Sequence, residues 1–334
     1  GAYSAGVYGV HPYVLLNYEP TLDSLFTIAH ELGHSMHTFY SDKNQAFLNS
    51  EYPLFLAEIA STTNEAILLS SLKEKLTRRD QRMALCNYQL EQIRGTVYRQ
   101  TLFAEFEREV HAMAMRGEAL TAEALTAVYR RLNEVYYKGA VVDDDIAIEW
   151  MRIPHFYRAF YVYQYATGYS AAVAFSRRVL SGDAHKRDQY LGFLASGSSK
   201  PPLETLRLAG VDMESPEPVE ECLRSFEEAL GAAPVIHINC MFSEVADFGM
   251  AEILRKNSRQ WGIDPANLCV EMDGREIMSC VDEILLMEKM GYQVCVDHFE
   301  DKRRADEILG VFRPDYVKVS GNIFRGLAAG EDAG

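Results

Sequence analysis

Between residues 23 and 230 apolar side chains recur at a spacing near 3.6. That rhythm predicts helices over residues 23–41, 51–75, 79–117, 120–137, 143–150, 157–181, 184–196 and 216–230. Breaks fall at Pro53, near a helix start, and at Gly117, Gly139 and Gly182. Ahead of the helices, residues 11–18 (His-Pro-Tyr-Val-Leu-Leu-Asn-Tyr) read as a short strand. Pro12 lacks a ladder donor and places it at an edge. The start of the chain, with Gly1, Gly6 and Gly9, reads either as a mobile loop that admits a peptide or as a turn before that strand. In the first case the strand could pair with a peptide backbone by β-augmentation.

Near Gly231-Ala232-Ala233-Pro234 the rhythm changes. Short β-like runs, Val235–Asn239, Leu268–Met272, Gln293–Asp297 and Tyr316–Val319, alternate with helical stretches at about 245–260, 277–290 and 302–310. Strands separated by helices predict parallel βαβ units. The expected division is therefore a mainly α-helical region, residues 1–230, and an α/β region, residues 231–334.

Charge and composition narrow the function classes. The net charge is −15, with 48% hydrophobic and 24% charged residues in a chain of 334. Residues 1–233 carry −8 and residues 234–334 carry −7, with no basic stripe in either. Nucleic acid and anionic membrane are not expected partners, and no apolar run reaches the length of a membrane span. Six Cys without a C-x-x-C pair predict reduced, buried thiols and a cytoplasmic setting. No signal peptide is visible, and the first residue is not Met, as in a fragment or a processed product.

The densest chemistry lies in Ile28-Ala29-His30-Glu31-Leu32-Gly33-His34, an H-E-x-x-H motif inside a helical pattern. Residues four apart share a helix face, so His30 and His34 can reach one metal ion. Glu31 projects beside it, where a carboxylate can take a proton from water. Apolar neighbours on both sides predict a buried helix, in which two imidazoles need partners. A catalytic zinc takes three protein ligands. Glu58, in the apolar stretch 55–61, and His37 are the two candidates for the third. One helix does not easily aim three side chains at a tetrahedral centre, which favours Glu58. Glu65, two turns beyond Glu58, could orient an imidazole.

These segments carry a resemblance. Gly1-Ala2-Tyr3-Ser4, residues 11–18, residues 29–37 and Glu58-Ile59-Ala60-Ser61 resemble oligoendopeptidase F of the thimet oligopeptidase family, over about residues 1–230. The resemblance implies a helical, zincin-like catalytic domain with one zinc ion, held by His30, His34 and Glu58, and Glu31 as general base. It also implies cleavage of short peptides inside a deep channel, closed by a helical segment ahead of Gly1.

Residues 154–168 are unusually rich in Tyr. Peptide hydrolysis develops a negative oxygen, and a phenol or imidazole N–H opposite the metal stabilises it. In the family a His and a Tyr from this segment take that role. The matching positions are His155, Tyr157, Tyr163 and Tyr165, without a unique choice among them. Tyr161 and Tyr165, four apart, also fit a plain aromatic core stripe.

Residues 235–325 resemble part of the EAL family, cyclic di-GMP phosphodiesterases built on a (β/α) barrel. The matching stretches are 238–240, 268–271, 291–299 and 313–319, with Asn239, Glu271, Asp297 and Lys318 at the family's site positions. The signature Glu-Ala-Leu strand has no counterpart. Other expected acids are replaced by His298, Gly274 and Ser320, and Glu300-Asp301-Lys302 stand in place of glycines. A two-metal site needs several acids, so no cyclic-nucleotide hydrolysis is expected, and eight barrel strands cannot be completed. The whole reads as a zinc oligopeptidase joined to a degenerate EAL-like region. The alternative is a weak or inactive fusion whose second part binds a nucleotide or a protein.

Overall fold

In the computed structural model, residues 1–138, 141–232, 236–240, 249–261, 263–299 and 302–319 are described. The Gly139 break, the Ala233-Pro234 junction, Val235, residues 245–248 of an expected helix, and Glu300, Asp301 and Ser320 lie outside them. The chain divides into two units, Gly1–Ala232 and Ala233–Gly334.

The first unit opens with an antiparallel pair, β1 (Ala2–Ala5) and β2 (Tyr13–Leu16), in which Tyr3 faces Leu15. The Gly-rich start is thus partly a strand. Eleven α-helices follow among the described residues of this unit, besides one π-helical and two 3-10 turns. The site depends on α1 (Leu22–Asn44), α3 (Leu54–Lys75), α4 (Arg79–Ile93), α5 (Arg99–Met115) and α8 (Tyr163–Leu180). Thr21 caps α1 by accepting from the Ser24 amide at 3.2 Å, which satisfies an orphan donor of the first turn. The short α2 (Phe47–Ser50) leads into α3, which starts only after Pro53, a residue with no amide hydrogen to lose.

The crossing of α1 and α3 is the tightest feature. A Cβ on Gly33 would stand 2.5 Å from the Ser61 Cα and 2.9 Å from the Ala60 oxygen. Glycine therefore lets the two backbones touch, and Asn64 locks them by donating to the Ala29 carbonyl at 2.6 Å. The other face of α3 packs Leu56, Ile59 and Ala60 against Ala171, Ala174 and Phe175 of α8. A second cluster joins Leu102, Phe103 and Phe106 of α5 to Tyr129 and Val162.

Three expected helices of this unit are interrupted, and that over 143–150 is α-helical only at Asp144–Ala147 before a 3-10 turn, Glu149–Arg152. Residues 79–117 bend through a π-helical turn, Arg94–Tyr98, between α4 and α5. The 157–181 stretch becomes α-helical only at Tyr163, because Pro154 and a left-handed Phe160 (φ 55°) hold the chain in a loop. The Phe160 amide donates to Glu107 of α5 at 2.6 Å. Two short helices, Phe47–Ser50 and Pro202–Leu208, fall outside the expected segments.

The second unit contains a four-stranded parallel sheet in the order β3 (Ile236–Asn239), β4 (Leu268–Asp273), β5 (Gln293–Phe299), β6 (Tyr316–Val319). Val270, Met272, Val294 and Val296 build its core with Ile284 and Met287 of the helix Val281–Lys289. Burial on both faces explains the near-continuous apolar strands. All six cysteines are buried. Among the described residues, no helix is long and apolar enough to cross a membrane.

Candidate metal centre

Because α1 and α3 touch at Gly33, side chains on their facing turns converge. His30 Nε2 and His34 Nε2 are 3.1 Å apart. Glu58 Oε2 reaches across from α3 to 3.4 Å from the first and 3.9 Å from the second. One donor atom from each of these three residues lies within 4.8 Å of the others. On the far side of the His30 ring, Nδ1 donates to Glu65 Oε1 at 2.6 Å, which fixes the ring and aims Nε2 at Glu58. Tyr88 of α4 in turn donates to Glu65 Oε2 at 3.4 Å, its ring stacked on Phe26 at 4.1 Å.

The electrostatics favour positive charge here. Burial alone would depress the His30 pKa, but its hydrogen bonds to Glu58 and Glu65 outweigh that and raise it to about 10. The hydrogen bond from His30 holds Glu58 below the usual carboxylate range against its own desolvation. His34 moves the other way, lowered by burial and by the charge on His30. A cluster that gathers one excess proton offers the same lone pairs to a metal ion. Two imidazole nitrogens and one carboxylate oxygen form the donor set of many catalytic zinc sites, so the residues present fit a zinc ion.

Glu31 lies on the same turn as His30, is 7% exposed, and acts electrostatically on His34. His37 does not join the group. Its ring is fully buried and stacks on Tyr52 with centroids 3.5 Å apart and planes 5° apart. Both of its ring nitrogens lack a hydrogen-bond partner, and burial lowers its pKa to about 3.

Of the aromatic segment, His155 and Tyr165 come together, with the Tyr165 hydroxyl 3.4 Å from His155 Nε2. The Tyr161 hydroxyl lies 3.3 Å from that of Tyr165, so Tyr161 is more than a core stripe. Burial and the Tyr161 hydroxyl push the Tyr165 phenol upward, and the charge of Glu58 adds to the shift. This phenol thus stays a proton donor and feels the metal cluster. Tyr157 is 92% exposed, and Tyr163 turns its half-exposed ring toward Phe55, 6.5 Å away. Neither is brought to His155. The sequence reading missed Tyr88, Glu107 and Phe160. Each acts through a partner more than 20 residues distant, so local spacing carries no signal for them.

The sequence model of peptidase family M3 matches residues 1–225. The chain is 51% identical over 231 residues to Oligopeptidase PepF of Bacillus subtilis, covering 69% of this chain and 34% of that protein. It is 48% identical to an oligoendopeptidase F homolog of Lactococcus lactis, covering 69% of this chain and 38% of the relative. The crystal structure of oligoendopeptidase-F from Enterococcus faecium superposes with a TM-score of 0.58 at 42% identity, over 64% of this chain and 39% of that one. The chain therefore spans little more than a third of the length of these relatives. On the family match and these identities, the chain belongs to peptidase family M3.

Proposed function

We propose that the first unit is a zinc-dependent endopeptidase centre that hydrolyses peptide bonds in short oligopeptides. The convergence of His30, His34 and Glu58 across a glycine-tight helix crossing carries this reading, together with family membership. His30, His34 and Glu58 would hold one zinc ion, with Glu65 orienting His30. A zinc ion supplies Lewis-acid polarisation of a peptide carbonyl and makes water more acidic at neutral pH.

The chain's own residues supply the rest. Glu31 accepts the proton of the attacking water and returns it to the leaving amine. Tyr165 donates to the oxygen that becomes negative, and His155, beside it, fixes the phenol or donates as well. Tyr157 and Tyr163 remain candidates for contact with the peptide, being exposed and half-exposed.

The four parallel strands of the second unit are read as a degenerate piece of an EAL-type barrel, on the sequence stretches given above. Its missing acids argue against cyclic-nucleotide hydrolysis.

The test is cleavage of a quenched fluorescent peptide of about ten residues, with chelator, with zinc restored, and in Glu31→Gln. Cleavage that the chelator stops and zinc restores is expected. In Glu31→Gln, turnover falls at least about a thousandfold while zinc stays bound. Full activity in that variant would sink the assignment of Glu31.

A further inference from the structure

A cavity of about 470 Å³ opens between the loop after β1, the C-terminal half of α1, and α2. Tyr8, Thr38, Asp42, Phe47, Glu51 and Tyr52 line it. On α1, His30, His34, Thr38 and Asp42 follow at intervals of four, so floor and metal ligands share one helical stripe. Tyr52 ties the two together: its hydroxyl lies 2.9 Å from Thr38 Oγ1 and 3.5 Å from the His34 carbonyl.

The chemistry of the walls is specific. Two carboxylates, Asp42 and Glu51, face the cavity, and no Lys or Arg lines it. Tyr8, Phe47 and Tyr52 give the rest of the wall aromatic surface, beside Leu48 and smaller residues. Tyr8 and Phe47 meet edge to face with centroids 5.4 Å apart, and the Tyr8 hydroxyl donates to the Gln45 carbonyl at 2.9 Å, holding the loop against the end of α1. Asp42 accepts from the Gly9 amide, yet burial still raises its pKa. Aromatic faces beside carboxylates select a cation on an apolar stem, because the stem covers the rings while the charge meets the acids.

Position adds the identity of the ligand. Eight residues of α-helix separate Asp42 from His34, an axial distance of about 12 Å. An extended peptide covers that in about three to four residues. We propose that this cavity is a substrate subsite for a Lys or Arg side chain about three residues from the bond that is cut. The proposal rests on the peptidase reading above, since it takes its register from the metal ligands.

The test separates the two. Binding is measured by fluorescence anisotropy on Glu31→Gln, with labelled ten-residue peptides in which one Lys is moved along the chain, beside norleucine and Glu versions. Cleavage of the norleucine peptide by the parent chain is measured in parallel. The Lys peptide is expected to bind about tenfold more tightly than norleucine at one or two neighbouring positions, and Glu less tightly. Glu51→Gln and Asp42→Asn/Glu51→Gln should erase that gain and leave norleucine binding unchanged. Glu51→Gln guards against misfolding, because Glu51 is exposed. Equal affinities for Lys and norleucine would overturn the subsite, as would a Lys gain that survives both variants. Cleaved norleucine peptide without a Lys gain rejects the subsite alone. A position-dependent Lys gain that both variants erase, without cleavage, leaves a Lys-binding cavity but rejects the peptidase reading and with it the register, and neither binding nor cleavage of any peptide rejects both.

Discussion

Acids meet cations in both units, but the partners differ. In the second unit Glu271, buried on β4, is met by Lys318 Nζ of β6 at 2.5 Å, and Asp273 is held by Arg275 at 2.9 Å. The protein supplies those cations from its own side chains. In the metal centre the partners of Glu58 and Glu65 are imidazoles, whose charge depends on a removable proton. A lysine that answers a carboxylate closes the account of charge, whereas an imidazole leaves it open to a metal ion in exchange for a proton. Under the proposed function the same residue type, glutamate, is paired with a fixed cation in one place and would hold a metal ion in the other, according to whether its partner can be replaced.

That contrast can be broken at its strongest point by metal titration. His34→Ala should weaken zinc binding at least about a thousandfold, near 4 kcal/mol. Glu271→Gln should leave both the affinity and the stoichiometry unchanged. A loss of zinc in the Glu271 variant would erase the distinction between the units.

The geometry behind the open cluster is tested next. Gly33→Ala places a methyl group against the Ser61 backbone, where no side chain can swing aside. A cost of about 3 kcal/mol is expected from overpacking, read as a lower urea midpoint, together with weaker zinc binding as Glu58 is pushed away. Unchanged zinc affinity would show that the cluster does not depend on the close crossing.

The smallest effect comes from pH. His37 sits near the cluster without sharing its carboxylates, and its folded pKa of about 3 lies below the ordinary 6.5. The unfolded chain therefore binds the extra proton between those values, and stability falls as pH drops through that window. At pH 5 the loss amounts to about 2 kcal/mol relative to pH 7. His37→Phe should remove this slope, measured by urea unfolding in chelator at both pH values. An equal slope in the variant would assign acid sensitivity elsewhere.

How much of this could be read beforehand follows from range. His30, Glu31 and His34 stand on one helix, so their spacing alone brought the imidazoles to one face. Glu58 announced itself as an acid in an apolar stretch, and Glu65 followed from the helical period. The crossing that joins these two helices was not legible, since Gly33 reads as an ordinary x in H-E-x-x-H until the Ser61 backbone is seen against it. The π-turn at residues 94–98 and the late start of α8 were hidden for a related reason. Apolar rhythm continues through them, and only tertiary partners such as Glu107 decide where the helix stops. Tyr161 and Tyr165 fit a core stripe by spacing, and the contacts of the Tyr165 hydroxyl with that of Tyr161 and with His155 depend on a loop fold that spacing does not encode.

That loop turns on Phe160, whose left-handed backbone is held by a carboxylate from another helix. A glycine there would relax more easily, but it would also free the loop to wander and take His155 with it. Residue 160 is thus a place where ease of folding and constancy of aim oppose each other, and the chain has settled on aim.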